Sequence, residues 1–411
     1  MNAKIQNKEE FENFVIQNWN NINAWIDEKQ AKLPQPLTSS VDVRESTTKF
    51  APVDQNMYPA GFNNLCGKDL LYTSEVFKEF FKKKGDIKRI GLLPESHTKN
   101  RFYLDNLYKL KTSLELAELE VILFTPDNKI FEEGQHTLEL ESQSGFILTL
   151  HRGEFIDGKF AAVNKETRFD FDFILLNNDQ SAPFDLDWQA LKTPILPPPY
   201  VGWFRRQKVH HFHHYKIVAD EFAAHFDVNP DLIQADFLAV EDVDFSTKEG
   251  LDILADKVDE LLKKLKEGSS VFIKASQGTY GMGISVVSSG DEVRNMNRKV
   301  RNKMDIGKNN IKFTSTLVQE AVETMVYYDQ APAEVTIYLI DGKSTGGFVR
   351  TNPNKTTTGN LNAQGMLYKK YCISEIEEDS DHQMKESVYS VIARLSTLAA
   401  SYEMKELLET I

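Results

Sequence analysis

The chain has 411 residues, a net charge of −13, and hydrophobic and charged contents of 41% and 27%, which are typical of a soluble globular protein of two or three structural units. The acidic balance disfavours nonspecific nucleic-acid binding, and no apolar run approaches the roughly 20 residues that span a bilayer. The first ten residues lack an apolar signal core and the chain has only two cysteines, Cys66 and Cys372, which we expect to be packing residues. We therefore expect a cytoplasmic protein.

The first half of the chain alternates between helical and strand patterns. Apolar residues at helical spacing from Phe11 to Ile26 predict one opening amphipathic helix. A helix over 104–118 separates two of the apolar strand patterns, and residues 137–160 resemble an inserted antiparallel hairpin. The strands are predicted over 89–93, 120–124 and 171–176. Short apolar strands that alternate with helices indicate parallel βαβ units.

Ligands of parallel sheets usually bind beyond the carboxyl ends of the strands. His97 and Asn100 follow the first of these strands. Each is a candidate substrate contact, and structural hydrogen bonding is the equal alternative.

The second half begins with a proline-rich connector at 194–199. Helices are predicted over 214–226, 251–265 and 386–402, and strands over 316–320, 334–340 and 346–350. Asp341-Gly342 is typical of a tight turn between two antiparallel strands, so the last two strands are predicted to form a hairpin.

A lysine and three glycines lie close together in the segment from Val271 to Ile284. Glycines allow backbone N–H groups to approach an anion, and Lys274 adds a positive charge beside them. The lysine precedes the glycines, so this is not a Walker A loop. A phosphate-binding loop is favoured, with an ordinary strand and hairpin as the alternative.

Four histidines lie between His210 and His214, which could indicate a metal site. Arg205, Arg206 and Lys208 precede them and would repel a cation. A phosphate-facing or structural helix start is therefore favoured over zinc.

Four features follow one another in order: the loop 274–283, Gln319-Glu320, the hairpin strand that ends at Arg350, and the loop 358–365. Their order and spacing resemble the ATP-grasp ligases, most closely bacterial glutathione synthetase. The resemblance implies that Lys274, Arg350 and Asn360 are catalytic, facing the nucleotide phosphates, the transferring phosphoryl group and the acyl phosphate, and that Asn362 contacts substrate. The implied nucleotide-binding residues are Lys274, Ser276, Gly278, Tyr280, Gly281, Gly283, Gln319, Glu320 and Val322. The first lysine usual in these enzymes is left open between Lys248 and Lys257.

One feature of these ligases is absent after Gly365, namely an acidic strand residue followed by an acid-x-Asn metal motif. Asp54 and Asn56 have this form near the N-terminus, although Asp54 stands where the family usually has the longer Glu, and Asp42 could supply the acidic strand residue. The resemblance therefore implies that Asp42, Asp54 and Asn56 hold Mg²⁺ (or Mn²⁺), and that the last ATP-grasp strand is circularly permuted to the front of the chain. A polar turn with Asx hydrogen bonds is the alternative for 54–56.

Similarity over nearly the whole chain is closer still. The segments 40–44, 51–56, 58–64, 94–100, 203–206, 274–283 and 360–365 resemble the proteobacterial ATP-grasp-type glutamate–cysteine ligase. This resemblance implies ATP-dependent joining of glutamate and cysteine. Arg44 could hold an amino-acid carboxylate through its forked guanidinium, or make structural hydrogen bonds.

We therefore expect an α/β fold, α+β in the nucleotide-gripping part, that combines a Rossmann-like domain with a circularly permuted ATP-grasp fold. The expected units are 1–85 (helix and permuted metal/substrate segment), 86–200 (Rossmann-like) and 201–411 (nucleotide-binding, with the C-terminal helix). The expected substrates are ATP, glutamate and cysteine, without nucleic acid or membrane, and a homo-oligomer is left open. The alternatives are another ADP-forming carboxylate–amine ligase and a non-catalytic nucleotide-binding regulator.

Overall fold

The computed structural model describes residues 3–96, 99–165, 167–277, 283–305, 315–371 and 380–411. Its helices are α1 Lys8–Gln17, α2 Trp19–Gln30, α3 Gly67–Lys84, α4 Arg101–Leu116, α5 Lys208–Phe226, α6 Lys248–Leu262, α7 Gly290–Arg294, α8 Arg298–Asp305 and α9 Ser380–Glu409. None of the helices in these ranges combines the length and apolar character that crossing a membrane requires. The opening helix, predicted as one, is broken at Asn18 into α1 and α2.

The strands within the described ranges form three sheets. In chain order, these strands are β1 Thr38–Glu45, β2 Phe50–Asn56, β3 Arg89–Pro94, β4 Glu120–Thr125, β5 Thr137–Glu141, β6 Ile147–Ile156, β7 Lys159–Asn164, β8 Thr167–Asp170, β9 Phe173–Asn177, β10 Ile195–Leu196, β11 Phe237–Glu241, β12 Val271–Ala275, β13 Ile284–Val287, β14 Ser315–Glu320, β15 Tyr327–Tyr328, β16 Ala331–Ile340, β17 Lys343–Thr351 and β18 Leu367–Tyr371. Helices and strands are thus mixed, as expected for an α/β protein.

The first sheet has the order β10-β9-β3-β4-β6-β7-β8, with β5 paired to β6. The pairs β3–β9 and β3–β4 are parallel, which confirms the predicted βαβ pattern. Segment 137–160 is antiparallel as expected, but β6 also pairs in parallel with β4 from Leu123↔Leu150 to Thr125↔Arg152. This segment therefore extends the first sheet through β6.

The second sheet has the order β18-β17-β16-β1-β2, so two strands near the N-terminus lie beside strands from the last quarter of the chain. Strand β1 pairs antiparallel with β16 from Thr38↔Ile340 to Val43↔Val335. The predicted hairpin turn between β16 and β17 is confirmed, because Asp341 and Gly342 both have positive φ, 49° and 72°.

The third sheet is antiparallel, with the order β11-β14-β12-β13. Helix α6 packs on it through a buried apolar stripe that includes Leu254 and Val258. Lys274 lies on β12 and Gln319 on β14, so this sheet carries two of the predicted nucleotide-binding residues.

Candidate active site

One face of the second sheet carries three carboxylates, an arginine and a threonine. Arg350 lies opposite Glu334, Thr336 lies opposite Asp42, and Asp42 lies opposite Asp54. Residues that face each other across strands, or stand two apart on one strand, share a face of the sheet. The strand register therefore brings these five side chains to one face.

The register is reinforced by short hydrogen bonds. Arg350 Nη1 donates to Asp42 Oδ2 (2.6 Å) and to Glu334 Oε1 (2.9 Å). Thr336 Oγ1 donates to Asp42 Oδ1 (2.7 Å). Asp42 on β1 is thereby bonded to side chains of both β16 and β17.

Arg44 continues the same network away from Asp42. Its Nε donates to Glu334 Oε2 (2.9 Å), its Nη1 to the carbonyl of Val322 (3.2 Å) and its Nη2 to the carbonyl of Gly359 (2.6 Å). The side chain is only 2% exposed. Every guanidinium nitrogen of Arg44 thus has a protein partner, as in the structural alternative considered for this residue.

The carboxylates of this network titrate differently. Burial raises the pKa of Asp42, with Glu334 and Asp54 adding to the rise and Arg350 opposing it. Burial also opposes the charge on Glu334, but Arg44 and Arg350 outweigh it and lower the pKa of Glu334. Glu334 therefore holds its negative charge more firmly than Asp42, the carboxylate nearer to Asp54.

Lys274 reaches the same place from the third sheet. Its Nζ donates to the carbonyl of Val53 (2.6 Å) and to Gln319 Oε1 (2.7 Å). Burial lowers the pKa of Lys274 to about 7, with Lys208 and Arg44 also lowering it and Asp54 opposing them. An ammonium group that titrates near neutrality responds strongly to an incoming anion.

Lys208 is a further candidate site residue, which the sequence interpretation missed. At the start of α5, its ammonium group forms an ion pair with Asp54 and lies 4.9 Å from the centre of the Trp203 ring. Its backbone N–H donates to the carbonyl of Ser276 (2.8 Å). One sequence feature could have indicated Lys208: it lies two residues after 203–206, a segment that resembles the glutamate–cysteine ligases.

The two lysines that were considered for the open position lie elsewhere. Lys248 is exposed at the first residue of α6, and Lys257 pairs with Glu260 on the surface of the same helix. Neither contacts the described network.

Asp54 completes a pair of carboxylates on adjacent strands. Burial opposes its charge, but Lys208 and Lys274 outweigh burial and lower the pKa of Asp54. Within the described ranges no group of three or more His, Cys, Asp or Glu side chains is arranged to hold a metal ion. Mg²⁺ commonly takes one or two protein carboxylates and completes its shell with phosphate oxygens and water, so Asp42 and Asp54 fit that smaller requirement.

Asn56 is engaged locally. Its Oδ1 accepts from the backbone N–H of Tyr58 (2.9 Å) and its Nδ2 donates to the Tyr58 carbonyl (3.1 Å). These bonds correspond to the polar turn that was the alternative to metal binding.

Residues 12–404 match the model of the glutamate-cysteine ligase family, GshA. The chain belongs to this family. A protein from Methylobacillus flagellatus KT that has been assigned as a gamma-glutamylcysteine synthetase has a similar solved structure, with 33% identity, 96% of each chain covered and a TM-score of 0.85. No curated protein matches the chain. Membership of a ligase family makes this protein an enzyme.

Of the other predicted nucleotide-site residues of this ligase, Gln319 and Val322 bond to Lys274 and Arg44, and the remaining ones that the structure describes lie in or next to strands of the third sheet. Ser276 Oγ accepts from the backbone N–H of Val209 (3.2 Å), and Glu320 pairs with Lys49 (2.8 Å). Gly283 has a positive φ of 65° at the end of the glycine loop. Gly278, Tyr280 and Gly281 lie outside the described residues.

The predicted substrate contacts are more dispersed. Asn360 Oδ1 accepts from the backbone N–H of Asn362 (3.0 Å) in the loop whose Gly359 carbonyl bonds to Arg44. Asn100 is exposed and caps α4 by accepting from the backbone N–H of Tyr103 (3.3 Å), the structural alternative for this residue. His97 lies outside the described residues.

The histidine cluster and Cys66 have structural partners. His211 contacts Ser396 and His214 contacts Glu406, both on α9, as expected for a structural helix start. The sulfur of Cys66 is disulfide-bonded and accepts from the backbone N–H of Asp69 (3.5 Å), so this buried residue is part of a cross-link as well as the packing residue that was expected. Cys372 lies outside the described residues.

Proposed function

We propose that this ligase uses ATP to join the γ-carboxylate of L-glutamate to the amine of L-cysteine, giving γ-glutamylcysteine, ADP and phosphate as the first step of glutathione biosynthesis. Family membership over residues 12–404 supports the pair of substrates. The observation that carries the chemistry is the convergence of Arg350, Lys274 and Lys208 on the carboxylates Asp42 and Asp54.

A carboxylate and an amine do not condense readily in water, so the acid must first be activated. Attack of the glutamate γ-carboxylate on the γ-phosphoryl group of ATP would give an acyl phosphate and ADP, and the cysteine amine would then displace phosphate. Phosphoryl transfer of this kind depends on positioning and charge neutralisation more than on a protein nucleophile.

The described side chains suit those tasks. Arg350 uses Nη1 to bond Asp42 and Glu334, whereas its Nη2 makes no hydrogen bond within the described part of the chain. We assign Arg350 Nη2 to the transferring phosphoryl group, and Lys274 and Lys208 to the nucleotide phosphates. Asn360, Asn362 and the hinge residues Gln319 to Val322 keep the acyl-phosphate, substrate and adenine roles implied by the family resemblance.

Asp42 and Asp54 would hold Mg²⁺ or Mn²⁺. When bound, the ion would neutralise charge on the phosphates. Asn56 would join the carboxylates only if its turn with Tyr58 opened. Arg350 and Lys208 hold the two carboxylates before the ion enters.

We also propose that the second and third sheets form an ATP-grasp fold whose last metal-binding strand has moved to the N-terminus. Support comes from β1, which lies between β16 and β2 and places Asp42 within hydrogen-bonding distance of Arg350. A non-catalytic regulator is set aside because the family is one of ligases. The remaining alternative is an ADP-forming ligase that takes a different acid or amine.

The test is ADP release by the purified protein with ATP and Mg²⁺, after addition of glutamate, cysteine or both, with mass detection of the product. We expect ADP to rise only with both amino acids, together with γ-glutamylcysteine. ADP release with glutamate and other amines would show that the amine substrate is not cysteine alone. Absence of ADP from folded protein that binds ATP would refute this pair of substrates.

A further inference from the structure

Behind the candidate active site lies a fully buried arginine that the mechanism above does not use. Arg206 is 0% exposed; its Nε and Nη2 donate to the two carboxylate oxygens of Glu403 on α9 (2.9 and 2.7 Å). The same Nη2 donates to Gln55 Oε1 on β2 (2.7 Å). Its guanidinium carbon lies 4.6 Å from the centre of the Trp203 ring. We call Arg206, Glu403 and Gln55 the rear clasp.

The rear clasp joins the two chain segments that present the ion pair of the site. Gln55 directly follows Asp54, and because side chains alternate along a strand, Gln55 points to the side opposite Asp54. Arg206 precedes Lys208 by two residues. A displacement of the rear clasp would therefore move both Asp54 and Lys208.

The segment that carries Arg206 is fixed at its other end as well. The backbone N–H of Trp203 donates to the carbonyl of Asp179 (2.9 Å), and that of Phe204 to the carbonyl of Gln180 (3.2 Å). Both acceptors follow the carboxyl end of β9 in the first sheet. Arg206 thus lies where the first sheet, the second sheet and α9 meet.

We propose that Arg206, together with Glu403 and Gln55, is a positioning residue that sets Lys208 and Asp54 at the phosphate end of the site. This inference rests on the proposed function for the roles of those two residues. It assigns to Arg206 a part in binding the nucleotide and its metal ion that goes beyond holding the fold together.

The chemistry of the rear clasp requires an arginine. A planar guanidinium can bond both oxygens of one carboxylate and still stack on an aromatic ring, whereas a lysine ammonium is a point charge that cannot reproduce that geometry. Burial opposes the charge on Glu403, but Arg206 and His211 outweigh burial and lower the pKa of Glu403 to about 2. The ion pair therefore persists over the whole working range of pH.

The test compares Arg206→Lys with Arg394→Lys. Arg394 is a second buried arginine; it is on α9 and is bonded to Asp27 and to the carbonyl of Gly342, at the hairpin turn between β16 and β17. Titration calorimetry would measure ATP affinity over a series of Mg²⁺ concentrations, and thermal unfolding would measure stability. We expect both variants to melt at lower temperature, but only Arg206→Lys to bind ATP roughly tenfold or more weakly and to need more Mg²⁺.

Gln55→Met is the milder second variant, because it removes one acceptor and leaves the Arg206–Glu403 pair. We expect a severalfold higher Mg²⁺ requirement with a nearly unchanged melting temperature. Wild-type Mg²⁺ and ATP affinities in Gln55→Met and in folded Arg206→Lys would overturn the inference, as would equal losses of affinity in Arg206→Lys and Arg394→Lys.

These binding measurements do not require turnover. If the wild-type protein binds ATP with Mg²⁺ but forms no γ-glutamylcysteine, the proposed substrates fail while the inference is still judged by the variants. If the wild-type protein does not bind ATP, the proposed function and the positioning role of Arg206 both fail.

Discussion

At the scale of single residues, Lys274 makes the affinity for ATP depend on pH. Its pKa of about 7 lies well below that of an ordinary lysine because the side chain is buried. Phosphates nearby favour the protonated form, so ATP binding above pH 7 must draw a proton onto Lys274. We expect the affinity to fall as pH rises from about 7 to 9, approaching tenfold per pH unit.

Calorimetric titration of ATP at several pH values checks this dependence. The control is Lys274→Met, which keeps an unbranched side chain of nearly the same length and removes its charge. That variant should bind ATP more weakly, and its affinity should change little over the same range. A wild-type affinity that is flat from pH 7 to 9 would contradict the coupling of ATP binding to protonation of Lys274.

Asp54 provides a sharper test of the metal site. Asp54→Asn keeps the shape of the side chain but removes the charge that pairs with Lys208 and that would face Mg²⁺. We expect turnover to fall roughly 100-fold with the fold retained, measured as ADP release alongside thermal unfolding. The matched change Asp341→Asn, at the hairpin turn, should leave turnover near the wild-type value. Wild-type turnover in folded Asp54→Asn would show that Asp54 does not bind the metal ion. It would also contradict the proposal that the metal-binding strand has been permuted to the N-terminus.

Sequence patterns located some of these residues better than others. Lys274 could be predicted because it ends a strand and precedes three glycines, a local signal. Lys208 and Arg206 could not, because their importance depends on partners about 150 and 200 residues away, Asp54 and Glu403. Positive charges near a helix start have many ordinary explanations until those partners are known.

At the scale of secondary-structure elements, Arg44 connects β1 to three other segments. It bonds Glu334 on β16, the carbonyl of Val322 after β14, and the carbonyl of Gly359 in the loop after β17. Val322 belongs to the predicted adenine hinge, so loss of the fork should loosen the nucleotide site. We expect Arg44→Lys to raise KM for ATP roughly tenfold while KM for each amino acid changes little.

Steady-state kinetics with each substrate varied in turn would measure these constants. Arg394→Lys is again the control for the loss of a buried arginine, and its KM values should stay close to those of the wild-type protein. A large rise in KM for glutamate or cysteine, with KM for ATP unchanged, would instead support the direct carboxylate contact predicted from the sequence.

The elements themselves were predictable where the signal was local. The Asp341-Gly342 turn is an example, because both of its residues tolerate positive φ. The break at Asn18 was missed because the apolar spacing continues across it, from Val15 to Ile22. The parallel pairing of β6 with β4 was also missed, because a local sequence pattern does not indicate which distant strand a hairpin will pair with.

At the scale of the whole molecule, residues 1–85 are built into the body of the protein. The buried side chains of Phe11, Ile22, Val41 and Phe50 share one hydrophobic core with Val391 of α9. Strand β1 is hydrogen-bonded on both sides, to β16 and β2. Removal of this segment would expose both the core and the edge of β16.

A cut between Gly85 and Asp86 should therefore leave the protein assembled. Both residues are exposed and follow the C-terminal end of α3, so a protease recognition sequence can be inserted between them. After cleavage in a reducing buffer, which excludes a disulfide between the pieces, we expect the fragments to co-elute on gel filtration and to release ADP at close to the uncut rate. Denaturant should separate them. Separation in native buffer would show instead that residues 1–85 form an independent unit, and would argue against β1 as an integral strand of the second sheet.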